Sequence, residues 1–206
     1  MEKIFVITIA RGYGSCGKAI GDLLGAKLGI PCYEDEILQM ASVESGISEN
    51  LYNMANEKNV RGIIKRAIYN FALGMDDDMK GISGKKLFDS QSDAIRKLAK
   101  TKSCIIVGKC ADYVLRDFTN VVRVYVEAPR QACIDQLTRK YGWSQMEAEE
   151  RIVKMDHQRA EYYRTYAKGD WTNPTNYDIT LNSHSLGKEG CVRMIEECLK
   201  YKVLEK

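Results

Sequence analysis

The chain has 206 residues and a formal net charge of +3, from 31 basic and 28 acidic side chains. That length suits a single domain with an insert and buries a full core, while the near balance of charge argues against a nucleic acid polymer as partner. The composition, 45% hydrophobic and 29% charged, is that of an ordinary soluble protein, and no apolar run approaches the roughly 20 residues of a membrane span.

The elements follow in order. The charged start and the short apolar run after it are wrongly built for a signal peptide, so a cytoplasmic setting is expected. Residues 4–10 are apolar and β-rich, which predicts a strand. They lead into Gly12, Tyr13, Gly14, Ser15, Cys16, Gly17 and Lys18, then into an amphipathic segment with Ile20, Leu23, Leu24 and Leu28. Strand, glycine-rich loop with lysine, then helix is the setting in which G-x-x-x-x-G-K spacing means a phosphate site. Glycines let backbone N–H groups turn inward around an anion, and the helix N-terminus and the lysine add positive charge. A nucleoside triphosphate such as ATP is the expected ligand. The next position, where a hydroxyl would ligate Mg²⁺, holds Ala19. Glycines in such a turn also serve backbone geometry alone, so the flanking strand and helix carry the assignment.

Residues 29–31 break the chain, and Cys32 and Tyr33 begin a short extended piece. Helical spacing recurs over residues 36–73, through Ile37, Met40, Ala41, Ile64, Ile68 and Phe71. Residues 74–86 read as an exposed loop, and residues 87–100 return to helix through Ala94, Ile95 and Leu98. Short apolar runs at 104–108, 121–126 and 177–182 alternate with helical patterns, which predicts an α/β fold around a parallel sheet. Ligands of such sheets bind beyond the carboxyl ends of the strands. Lys109 would meet a phosphate there. Asp112 would serve a metal or a hydroxyl, or equally cap the next helix.

Residues 139–168 are dense in basic groups, among them Arg139, Lys140, Arg151, Lys154, Arg159, Arg164 and Lys168, interleaved with Asp156, Tyr162, Tyr163 and Tyr166. Arg159 and Tyr163 are four apart and share a helix face. A basic lid closing over a triphosphate has this composition, and so does a solvated charged helix. His157 and His184 have no companion at metal-ligand or triad spacing. The seven cysteines form no C-x-x-C, which indicates reduced, buried thiols.

Taken together, residues 7–18, 29–33, 105–112 and 177–183 resemble the bacterial cytidylate kinase-like family, a branch of the P-loop nucleoside monophosphate kinase superfamily, over nearly the whole chain. The resemblance implies a three-layer P-loop kinase fold: a central five-stranded parallel sheet flanked by helices. It places the core at residues 1–35, 101–136 and 169–206, a helical acceptor-binding insert at about 36–100 and a lid at about 137–168. The implied activity is ATP-dependent phosphoryl transfer to a nucleoside monophosphate such as CMP, with Mg²⁺. Residues 12–19 and Lys18 would hold the donor, and Glu34 or Asp35 would contact the acceptor. Lys109, with Asp112, would serve the acceptor where relatives usually place an arginine. Arg151, Asp156, Arg159, Tyr163 and Arg164 would belong to the lid, with Lys18, Arg159 and Lys109 acting in catalysis. Ser15 would be the substitute metal ligand. Two alternatives stand beside this: a kinase of a non-nucleotide metabolite, and a nucleotide-binding regulator without turnover. Partners would be small nucleotides, not polymers or membranes; the oligomeric state does not follow from sequence.

Overall fold

The structure, a computed structural model, describes residues 3–37, 40–41 and 84–205. The helical reading of residues 36–73 therefore falls mostly outside the described residues; 36–37 and 40–41 are helical. The chain divides into two compact units, Met1–Glu34 with Leu98–Lys206, and Asp35–Lys97.

In the first unit, strands β1 (Val6–Arg11), β2 (Cys32–Tyr33), β3 (Cys104–Val107), β4 (Val121–Glu127) and β5 (Ile179–Asn182) form a sheet in the order β2-β3-β1-β4-β5. Every neighbouring pair is parallel. Its three central strands β1, β3 and β4 are rich in Val and Ile, as suits a parallel sheet covered on both faces, and β3 is buried at all four positions. One face packs Ile7, Ile9, Val107 and Val124 against Ile20 and Leu24 of α1 (Gly17–Leu28). Val192, Ile195 and Leu199 of a later helix, Ser183–Leu199, complete this cluster. Each such side chain contributes about 1.5–3 kcal/mol by leaving water. On the opposite face, Tyr125 of β4 stacks on Tyr177 at 5.2 Å and meets Trp171 edge-on at 5.7 Å.

The remaining helices are α2 (Gly84–Thr101), the single turn α3 (Ala111–Val114), α4 (Arg130–Tyr141) and α5 (Gln145–Ala167); Ser183–Leu199 is α6. Several expected boundaries shift: the first strand begins at Val6 rather than residue 4, and the last at Ile179 rather than residue 177. β1 extends to Arg11, because the pairing with Val126 of β4 continues there. Gly84, read as loop, opens α2, where a first-turn glycine costs less than an interior one. In the second unit, Ala94 and Ile95 of α2 are buried while Asp93 and Arg96 are exposed and paired. A capping box starts α5: Ser144 accepts from the Glu147 N–H, and Glu147 accepts from the Ser144 N–H.

Candidate functional site

β1 delivers the glycine loop to the carboxyl edge of the sheet, and hydrogen bonds to backbone carbonyls hold it there. Gly12 N–H donates to the Val126 carbonyl at 3.0 Å, and Ser15 N–H to the Gly12 carbonyl at 3.3 Å. The Ser15 hydroxyl shares its hydrogen between the Gly12 and Val126 carbonyls, 2.9 Å from each. It is 1% exposed, so the side chain expected as a substitute metal ligand is instead a structural pin. Ser183, opening α6, donates to the Ser15 carbonyl at 2.7 Å and the Glu127 carbonyl at 3.2 Å. Cys16 caps α1 with φ 64° and makes no side-chain cap hydrogen bond. The first N–H groups of α1 have no acceptor within their own helix, and helix ends left this way favour negative charge.

Lys18 ends the loop and pairs with Asp22 one turn on. Burial opposes its charge, but the Asp22 hydrogen bond and the nearby Asp22 and Glu34 carboxylates outweigh this and raise its pKa. Ala19 is exposed beside it. An open groove of about 710 Å³ begins there, lined by Ala19, Asp22 and Leu23 of α1 and by Leu186, Lys188 and Arg193 of α6. α6 is broken at Gly187 along this groove (φ 67°).

α5 closes on the other side of the loop. Tyr13 N–H donates to Asp156 Oδ1 at 2.8 Å. Arg159 donates to the Arg11 carbonyl at 3.0 Å and to Asp156 at 3.2 Å, and its guanidinium lies 5.4 Å from the Tyr13 ring centre. Burial pushes the Asp156 carboxyl above its usual range, against the pull of the Tyr13 N–H and of Arg159. One turn further, Tyr163 donates to Asp112 Oδ2 at 2.7 Å. Asp112 is 5% exposed and lies inside α3, whose cap residue is Cys110. It is therefore neither the helix cap nor an open ligand group but a buried acceptor for α5, and burial raises its pKa.

The other residues expected in a lid face elsewhere: Arg151 lies over Trp143 at 5.2 Å and Arg164 pairs with Glu161. His157 and His184 are exposed. Among the described residues no group of three or more His, Cys, Asp or Glu could hold a metal, and all seven cysteines are free thiols. No described helix is long and apolar enough to cross a membrane.

The residue that sequence reasoning missed is Arg11. Its side chain runs along the carboxyl edge to Glu34 Oε1, 2.5 Å from Nη2. It passes over Gly17 and Gly108, where an added Cβ would stand 2.5 Å from Arg11 Cβ and 2.1 Å from Nη1. Gly108 also has φ 75°, and Lys109 and Cys110 follow at 58° and 52°, a left-handed run in which non-glycine residues are strained. Lys109 is half-buried at this turn. Between the two acidic candidates, Glu34 meets Arg11, whereas Asp35 opens the second unit. The signal in the sequence was an arginine ending an apolar strand directly before the glycine loop.

A model of the cytidylate kinase-like family matches residues 6–185. No curated protein matches the chain. Among solved structures, an uncharacterized protein from Eubacterium ventriosum is similar at TM-score 0.70 and 21% identity, over 95% of this chain and 98% of that one. A gluconokinase from Sinorhizobium meliloti is similar at TM-score 0.55 and 10% identity, over 98% and 94%. A shikimate kinase from Bacteroides thetaiotaomicron follows at TM-score 0.52 and 12% identity, over 95% and 98%. At these identities the likeness is one of fold, that of P-loop kinases.

Proposed function

The chain belongs to the cytidylate kinase-like family, and from that premise we propose that it transfers the γ-phosphoryl group of ATP to a nucleoside monophosphate such as CMP. The observation that carries this reading is the uncapped N-terminus of α1, with the loop carbonyls engaged and Lys18 at its rim. Phosphoryl transfer asks a protein for positioning and charge neutralisation more than for covalent chemistry. The loop N–H groups and Lys18 hold the donor phosphates. The groove beside Ala19 receives the rest of the donor, its volume lying in the range of small-molecule sites. Mg²⁺ arrives with ATP as part of the substrate, since neither Ala19 nor the buried Ser15 hydroxyl offers it a ligand. Arg159 and Asp156 keep the loop in shape from the α5 side, and Lys109 brings charge to the β3 end of the edge.

A second reading keeps the donor site and takes a small metabolite as acceptor; the gluconokinase and the shikimate kinase of like fold favour it. ATP turnover measured across CMP, UMP, AMP, shikimate and gluconate separates the two. CMP is expected to give the highest kcat/KM, and Lys18→Ala to lower it by about 100-fold or more with an unchanged melting temperature. Equal turnover by the variant would remove the phosphate-loop assignment, and turnover on none of the five would leave a nucleotide-binding protein without transfer.

A further inference from the structure

Arg11 has a geometry that holding a loop does not require. Its guanidinium lies across the ends of three strands, leaving β1, crossing Gly108 at the end of β3 and reaching Glu34 just past β2. Two positions along this path hold glycine where any side chain would collide with it. The Arg11 side chain is 17% exposed and that of Glu34 23%, so the pair is partly withdrawn from water yet open at the edge.

Glu34 takes one N–H of Nη2. Among the described residues, neither Nη1 nor Nε of Arg11 donates to a protein acceptor. A guanidinium has five N–H donors in a rigid plane, and an oriented fork with spare donors fits the two oxygens of a phosphate or carboxylate. Lys109, in the adjoining turn, offers only a point charge.

We propose that Arg11 is the anchor for an oxyanion on the acceptor, oriented by Glu34, so that acceptors carry a phosphate or a carboxylate. The word acceptor rests on the kinase reading above; the anion site does not. Donor phosphates belong to the α1 end of the loop, whereas the fork points away from it toward β2.

Side-chain ¹⁵N spectra of the full-length protein, with Arg11 Nε assigned through Arg11→Lys, test this in the presence of ADP and Mg²⁺. The probes are CMP, cytidine, inorganic phosphate and shikimate. Arg11 Nε is expected to shift saturably with at least one anionic probe and not with cytidine. Arg11→Lys is expected to weaken that probe by about 10- to 100-fold and to leave ADP affinity within about twofold, because the donor meets other groups. CMP and phosphate acting without shikimate identify a phosphate acceptor, and shikimate alone identifies a carboxylate. An Arg11 signal that stays fixed through all four titrations overturns the proposal, as does a variant that binds the active probe as tightly as the parent. If phosphate or shikimate moves Arg11 while CMP is neither bound nor phosphorylated, the monophosphate reading fails and the anchor stands. If CMP turns over while Arg11 stays fixed, the anchor fails and the kinase stands. Thermal unfolding of Arg11→Lys separates loss of binding from loss of fold.

Discussion

Thr8 lies mid-strand in β1, in register with Ile106 of β3 and Arg123 of β4. Its hydroxyl is 1% exposed and, among the described residues, has no hydrogen-bond partner; Arg123 Nε beside it has none either. A buried hydroxyl without a partner is a standing cost. Thr8→Val keeps the branched shape and removes the polar atom, so it is expected to stabilise the protein by about 1 kcal/mol. In thermal unfolding this is a rise of roughly 2–4 °C for a chain of this size. A fall of that size would show that the hydroxyl has a partner in solution. Backbone strain follows a different distribution. Three of the four non-glycine residues with positive φ in the described chain, Cys16, Lys109 and Cys110, border the carboxyl edge; each such conformation costs of order 1–3 kcal/mol.

At the scale of elements, α5 is the member on which the loop depends, and it is rooted at two heights. Asp156 and Arg159 grip the loop backbone, and Tyr163 grips Asp112 one turn later. Tyr163→Phe leaves a buried carboxylate without its hydroxyl donor and is expected to cost about 1.5–3 kcal/mol, read as a lower urea midpoint at unchanged slope. An unchanged midpoint would mean that α5 holds through its upper contacts alone. The glycine loop and strands β1, β3 and β4 were legible in the sequence because their signals are local: continuous apolar runs, glycine spacing, a following amphipathic helix. The shared face of Arg159 and Tyr163 was legible for the same reason, since helical period alone sets it. What that face touches was not, because Asp112 lies 51 residues away along the chain. The path of Arg11 depends on β3 lying between β1 and β2, and strand order leaves no mark on any of the three segments. That the Ser15 hydroxyl turns to the Gly12 and Val126 carbonyls was not legible, because spacing shows that a hydroxyl is present but not which way it turns.

For the molecule as a whole, stability should depend on pH through carboxyls buried without a cation strong enough to offset burial. Asp112 and Asp156 are both pushed above the usual value of 3.8, chiefly by burial. The native state therefore holds protons that the unfolded chain releases, and the contribution of these groups is fully present below that value and fades as pH rises through their folded pKa. Asp112→Asn removes one of them, so the variant is expected to gain on the parent between pH 4 and pH 7 in urea unfolding. The opposite trend would show that the Tyr163 hydroxyl favours the charged carboxylate more than burial disfavours it. The strand order carries a further consequence, for synthesis. Among the described residues β1 pairs with β3 and β4 and with no strand nearer in sequence; Phe5 N–H, just before it, finds its acceptor in Ser103, 98 residues on. At about 5–20 residues per second, a ribosome needs roughly 5–20 s to supply that partner. Throughout that interval the apolar run Val6, Ile7 and Ile9 waits on the nascent chain without its strand partners, the kind of exposed surface that makes folding chains prone to aggregate until the middle of the polypeptide has emerged.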